Sequence, residues 1–292
     1  MNIKVLFVGK RTGKNSARSR AGTFFLMLLI LILGAFTGLP FVYAVMQAFK
    51  PMDEIFLFPP RFSVVRPTWD NFYLLTQYAN NLWVSFERYL FNSLFYTAFA
   101  TTTEIFVCSA AAYVLAKGSL KYRNAIFSVI VMALLFTYDV TAIPSYVVMA
   151  GLKLLDTVWA IILPSIAVPL GLFLMKQFME SNVPDTLLEA ARIDGASPVR
   201  LYWSISMPLV KPAWLTLIIF AFQQIWNREG LEYIYSESLK TLPTMLKQIS
   251  TGGMARAGMA AAAAVVLMLP PIIAFIASQS RIVETMSHSG IK

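Results

Sequence analysis

Two carboxylic acids stand inside long apolar stretches of this chain: Glu104 within residues 91–116 and Asp139 within residues 125–149. If those stretches cross a bilayer, a charge at their centre costs at least about 2.5 kcal/mol, so each acid should face a cavity or a partner group. Thr97, Thr101, Glu104 and Cys108 recur at spacings of four, three and four, which lines them up on one helix face. Asp139 lies beside Thr137, Tyr138 and Thr141, and Gln223, Gln224, Trp226 and Asn227 close a later apolar stretch. Amides, hydroxyls and aromatic faces suit a polyhydroxylated solute. Tyr138, Asp139, Gln223, Gln224, Trp226 and Asn227 are therefore candidates for lining a polar pathway, with Glu104 as a further one. The competing role for both acids is to hold helices together in protonated or paired form, and for Glu104 that is the simpler reading. Covalent or metal chemistry finds little here. One cysteine, Cys108, and one histidine, His288, leave no internal disulfide, cysteine cluster or histidine-based zinc site. No catalytic and no metal residue is assigned, and an acid pair such as Glu104 and Asp139 is the one enzymatic arrangement left open.

A second kind of chemistry, docking, is written in Leu187 to Pro212. It is the longest polar interruption between the apolar stretches on the basic side of the chain. Pro184 suits the first position of a helix, and Thr186 to Ile193 read as two turns. Gly195 can take the left-handed conformation that ends a helix. Ser197-Pro198 is a cap followed by a first helical residue, so a second helix starts at once. The expected product is helix, sharp corner, helix, with Ala190, Ala191 and Ala196 small enough to let another surface approach. Glu189 and Asp194 supply charge there.

The elements that must position these groups follow from composition. The 292 residues are 58% hydrophobic and 13% charged, with mean hydropathy +0.65. A soluble domain is about half apolar and about a quarter charged, so the fold class is an all-α membrane protein. Six spans are expected, at 22–46, 91–116, 125–149, 157–179, 209–227 and 259–281, each long enough for a core of about 30 Å. The apolar run at 22–46 is too long for the core of a signal peptide. Prolines 144, 164, 169, 270 and 271 mark places where spans bend or break, or are simply tolerated. Residues 1–21 read as a basic cytoplasmic tail, 22–281 as one six-helix domain with its corner at about 182–208, and 282–292 as a second cytoplasmic tail. Residues 47–90 and 228–258 are outer segments, the first rich in aromatics. With the N-terminus inside, the inner segments and the span ends that adjoin them (Lys176, Lys211 and Arg281) hold 15 of the 24 lysines and arginines, and the outer segments 9. That satisfies the positive-inside rule, puts both termini in the cytoplasm, and explains the net charge of +9 without nucleic acid. Val5 to Asn15 glances at a phosphate loop and fails it: three residues separate Gly9 and Gly13 where four are needed, and Asn15 replaces the hydroxyl.

Glu189-Ala190-Ala191, then Asp194-Gly195-Ala196, then Ile205 and Pro208, resemble the "EAA" loop of the membrane subunits of ABC importers. Further matches extend the likeness from residue 20 to the end: Ala142-Ile143-Pro144-Ser145-Tyr146, Leu155-Asp156-Thr157 with Trp159-Ala160, Trp226-Asn227, and the tail Thr285 to Lys292. Together they are similar to a maltose-type carbohydrate importer permease, the smaller six-helix subunit of its pair. The resemblance implies a type I importer permease fold in a bacterial or archaeal cytoplasmic membrane. It implies that Glu189, Ala190, Ala191, Asp194, Gly195 and Ala196 couple to an ATPase. It also implies partners: a second permease in a heterodimer, two ATPase subunits that carry ATP and Mg, and a solute-binding protein outside. This chain itself would bind no cofactor, would touch membrane lipid, and would pass a sugar, an oligo- or polysaccharide. The loop 228–258, with Glu232 to Glu237, would enter the binding protein's cleft or contact its surface. Asp139 departs from the usual apolar character of its span. An amino-acid or osmolyte permease of the same class stays open on the loop alone. A secondary transporter driven by an ion gradient stays open on the spans alone, and it would not need the corner.

Overall fold

The computed structural model describes residues 20–289, with the side chains of 22–137 and 140–276. The basic tail at 1–19 and the end at 290–292 lie outside the described residues. Residues 1–44 and 45–292 form two units. The described part of the first is most of helix α1, Arg20–Ala48, whose spanning portion has a mean hydropathy of 2.5. At 1.5 Å per residue it exceeds a hydrocarbon core of about 30 Å.

The second unit has helices and no strand among its described residues. Its helices are α2 (Met52–Ile55), α3 (Asp70–Asn81), α4 (Phe86–Lys117), α5 (Arg123–Ala133), α6 (Tyr138–Gly151), α7 (Val158–Ile166) and α8 (Pro169–Asn182). They continue as α9 (Asp185–Ile193), α10 (Pro198–Leu209), α11 (Lys211–Trp226), α12 (Leu242–Ser250) and α13 (Ala257–Ser289). Among the described residues four stretches are long and apolar enough to cross a membrane, and the bent pair α10–α11 makes a fifth.

Two expected spans are built differently from the sequence reading. The third is two short helices, and the break falls at Leu134–Thr137 rather than at Pro144, which sits inside α6. Thr137 there has the extended backbone of a cap, φ −74° and ψ 159°, and Asp139 falls in the first turn of α6. The fourth span breaks at Ala167–Val168. Val168 precedes Pro169, whose ring pushes it out of the helical region to φ −95°, ψ 113°. Pro164 lies within α7 and breaks nothing.

Helix α4 is the mast of the second unit, with α7, α8 and α11 packed along it. Small residues allow the close approach. Ala112 of α4 and Ala213 of α11 are buried with Met175, Met179 and Leu217 in the core nearer the C-terminal end of α4, and Ala100 of α4 and Ala221 of α11 with Ile161 and Ile225 in a second core nearer its middle. A third core joins α3, α12 and α13 around Leu75, Tyr89, Met245 and Ala262. At the α3–α13 crossing, a Cβ on Gly258 would stand 2.2 Å from Asn71 Oδ1, so only glycine fits. That asparagine is needed where it is, because its amide donates to Ala48 O at 2.9 Å and Lys50 O at 2.7 Å. The outer segment before α3 is folded rather than loose: the Glu54 carboxylate accepts from the N–H groups of Val65 and Arg66 at 3.1 and 2.9 Å.

Candidate functional site

The corner between α9 and α10 has the geometry its residues dictate. Pro184 is the cap residue and Asp185 the first helical one, one position later than the sequence suggested. Asp194 ends the helix, and Gly195 follows at φ +80°. Gly195 N–H donates to Arg192 O at 3.0 Å and Ala196 N–H to Ala191 O at 2.9 Å. These are the paired bonds of a Schellman ending, which satisfy two carbonyls the helix leaves open. Ser197 Oγ then accepts from Arg200 N–H at 3.3 Å and caps the next helix, with Pro198 at its first position.

The faces of the corner are sorted. Leu188 and Leu201 are buried, and Ala191 and Ala196 pack against the same inner core. Glu189, Ala190, Asp194 and Gly195 are exposed. The apolar tip is exposed as well: Ile193 at 88% and Val199 at 73%. Sequence reasoning passed over these two, although their position on either side of Asp-Gly-Ala was visible. Side chains that stand out to this extent on a polar corner mark a surface made to be covered.

The corner is fastened to the bundle by three contacts. Lys117 Nζ, at the inner end of α4, reaches Asp185 Oδ1 at 2.9 Å in the first turn of α9. Tyr202 Oη and Ser109 Oγ share a hydrogen bond of 2.7 Å, and the Tyr202 ring lies 5.5 Å from that of Tyr113. Residues Leu201–Ser206 widen to a π-helix, with Ser206 Oγ donating to Leu201 O at 3.0 Å. The chain then turns by 82° into α11, and Trp214 Nε1 donates back across the bend to Met207 O at 3.2 Å.

Farther along α4, near its middle, is a cavity of about 460 Å³. Glu104 of α4, 1% exposed, forms part of it, facing Thr141 and Ser145 of α6. Ser165 and Val168 come from the α7–α8 break, Gln224 from α11, and Arg228, Glu229, Glu232 and Tyr233 from the outer loop. Gly171 of α8 lets Glu104 in, since a Cβ there would lie 3.2 Å from its Oε1. Arg228 donates to Ser165 Oγ at 3.0 Å, which ties the loop to the break. The loop is latched from outside by Asp156, whose N–H donates to Tyr233 O at 2.8 Å and whose carboxylate accepts from Tyr235 N–H at 3.0 Å and Ser236 N–H at 2.7 Å. The Ser236 hydroxyl donates to it too, and these donors hold the Asp156 carboxyl below the usual carboxylate range.

The pathway candidates divide. Glu104 and Gln224 line the cavity. Gln223 does not, and Asn227 Nδ2 donates to its carbonyl at 2.8 Å to close α11. Trp226 faces away: it is fully buried, stacks on Phe222 and donates Nε1–H to Leu267 O of α13 at 2.9 Å. Helix rotation sets it about 200° from Gln224, so it joins helices and lines no pathway here. The side chains of Tyr138 and Asp139 lie outside the described residues. Ser165, Arg228 and Tyr233 were not anticipated, because a helix break and a folded-back loop bring them in.

A bundle of long apolar helices with a capped, exposed corner and a polar cavity fits the class of membrane permeases. The model of binding-protein-dependent transport system inner membrane components matches residues 105–287, more than half of the chain, and the chain belongs to that family. It is 33% identical over 242 residues to Protein LplC of Bacillus subtilis (strain 168), covering 80% of this chain and 78% of that one. It is 28% identical to the arabinooligosaccharides transport system permease protein AraQ of the same organism, over 92% of this chain and 94% of the relative. The fold is shared, at TM-score 0.77 and 22% identity over 92% of this chain and 99% of the other, with a chain of a bacterial ABC transporter involved in the import of the acidic polysaccharide alginate. The chain is thus an inner-membrane permease subunit with the type I ABC importer permease fold.

Proposed function

We propose that this chain is one of two membrane halves of an ATP-driven importer that moves a sugar, an oligo- or polysaccharide, into the cell. The observation that carries the reading is the corner: a Schellman-ended helix, anchored by Leu188 and Leu201, that presents Glu189, Ala190, Asp194 and an apolar tip to a partner. Two ATPase subunits, holding ATP and Mg, dock there. A second permease completes the pathway and a binding protein delivers the sugar from outside. This chain binds no cofactor of its own. Its termini lie in the cytoplasm, and it crosses six times, with α5 and α6 together as one broken span.

Coupling requires that the docked corner have different contact energies in two bundle states, and closure of the ATPase pair upon ATP supplies the difference. Glu189 pairs with a basic residue of the ATPase, and Ala190 and Gly195 let its surface come close. Glu104 and Gln224 face the substrate; Tyr138 and Asp139 stand at the start of α6, which also contributes Thr141 and Ser145 to the cavity wall. Relatives named for arabinooligosaccharides favour a saccharide over an amino acid or osmolyte. The test is co-expression with the second permease and ATPase, comparing wild type with Gly195→Asp, Glu189→Ala. Loss of ATPase co-purification or of binding-protein-stimulated ATP hydrolysis, with the permease pair intact, is expected. Uptake driven by an ion gradient and indifferent to ATP would overturn the reading.

A further inference from the structure

A second hollow, a groove of about 780 Å³, runs between α4 and α11 and shares no lining residue with the cavity beside Glu104. Ile105 and Phe106 of α4 and Ile218 and Phe222 of α11 form its apolar walls. Trp203 of α10 and Lys211, the first residue of α11, stand at the end where the chain bends. From Lys211 to Phe222 the groove follows α11 for about 16 Å by its rise. A hydrocarbon core is about 30 Å thick, so the groove has the depth of one leaflet. A spanning helix of another chain would make a seam about twice as long, whereas the acyl chain of a single lipid has this reach.

The charge at the bend is a separate observation. Lys211 is the one charged residue in the lining, it is exposed, and it has no hydrogen bond or ion pair among the described residues. Trp203 is 58% exposed. Tryptophan concentrates where a bilayer meets water, and lysine near a helix end carries its ammonium to the same level. The bend therefore marks headgroup depth, and the groove runs from it towards the bilayer centre. An apolar helix packed here would leave the ammonium without an anion. A phosphodiester at the mouth of the groove supplies one, through a charge-assisted hydrogen bond, while its own tail fills the apolar walls. Basic pockets between membrane helices on the cytoplasmic side take anionic headgroups in this way.

Building on the cytoplasmic placement of the corner, we propose that this groove holds one anionic phospholipid of the inner leaflet, its phosphate on Lys211 and an acyl chain between α4 and α11. The lipid then lies against the 82° bend that joins the corner to α11.

The test is lipid photolabelling of the full complex in phosphatidylcholine vesicles. These carry a small, equal amount of phosphatidylglycerol or phosphatidylcholine with a diazirine in the acyl chain, and the labelled peptides are mapped by mass spectrometry. The phosphatidylglycerol probe is expected to mark residues 98–109 and 203–222 about fivefold more, the contribution of one lysine to holding an anionic lipid. Lys211→Gln should bring that ratio close to one, and Lys211→Arg should keep it. Ile218→Trp, which fills the groove, should reduce labelling of these segments by both probes and leave labelling elsewhere on the chain unchanged. Equal labelling by the two probes, or a ratio indifferent to Lys211→Gln, would overturn the proposal. So would labelling confined to other segments, since a protein helix would then fill the groove. Orientation is read separately, with an impermeant thiol reagent on Asp194→Cys in a Cys108→Ala background. Labelling in inside-out vesicles alone keeps the corner in the cytoplasm. Labelling in intact cells would remove that placement, and the inner leaflet with it, whatever the lipid ratio.

Discussion

Gly195 holds a backbone angle of +80° in a corner whose two closing hydrogen bonds both depend on that angle. An alanine would meet no neighbour, since nothing stands within 4 Å of its Cβ, but would bear the backbone strain of about 1–2 kcal/mol. Gly195→Ala is therefore expected to lower stability modestly and leave the complex assembled. An aspartate there would add a charge on the docking face as well. Trp226 shows how a residue type misleads without a face. As an aromatic beside two glutamines it read as a sugar contact, yet the structure gives its N–H to Leu267 O. Trp226→Phe leaves that carbonyl without its donor, at about 1–2 kcal/mol. It is expected to lower the unfolding midpoint and leave sugar affinity and selectivity unchanged in transport assays. Asp156 belongs to a third kind, a latch. Its carboxyl lies below the ordinary value of about 3.9, so its ionised form favours the folded loop. That contribution is fully present above about 3.9 and is lost as pH falls through the lower folded value. The protection of residues 230–236 against hydrogen exchange, taken relative to the intrinsic rate at each pH, should thus hold steady between about pH 5 and 8, and Asp156→Asn should lower it at neutral pH.

Helices show which parts of the sequence carry their own instructions. The corner was readable because Gly, Ser-Pro and the alanines act within a few residues of themselves, and the Schellman bonds and the Ser197 cap follow. The break before Pro169 was readable for the same local reason, the restriction on Val168. The break at Leu134–Thr137 was not, because Pro144 is the stronger local signal and α6 nevertheless continues through it. The cavity was half legible. Glu104 and Gln224 declared themselves by polarity within apolar runs, whereas Arg228 and Tyr233 depend on a loop latched by Asp156 some seventy residues earlier in the chain. Also outside sequence reasoning is the Lys117–Asp185 contact, which joins the mast to the docking helix. With Asp185 largely exposed the pair adds little stability, so its effect should be on transmission. Asp185→Ala is expected to leave the midpoint of unfolding nearly unchanged while increasing hydrogen exchange over 185–196 and reducing the sugar moved per ATP hydrolysed.

For the whole molecule, the corner lies at the C-terminal end of α4 and the cavity reaches the middle of that helix. Glu104 and Lys117 mark the two ends of that connection, thirteen residues apart on one unbroken helix, about 20 Å by its rise. The corner and the cavity are also linked by α11, which starts at the 82° bend and carries Gln224 in its last turn. The long apolar helices were legible in the sequence because hydropathy acts over whole segments; the π-turn and the bend required the structure. The central claim is that the corner transmits ATP-driven motion to the pathway, and one measurement tests it most directly. Sugar uptake and ATP hydrolysis would be followed together in proteoliposomes holding the full complex and its binding protein, for wild type and Gly195→Asp. Uptake at least tenfold lower in the variant, with the permease pair still assembled, is the expected result. Wild-type uptake and wild-type stimulation of ATP hydrolysis in the variant would contradict the account.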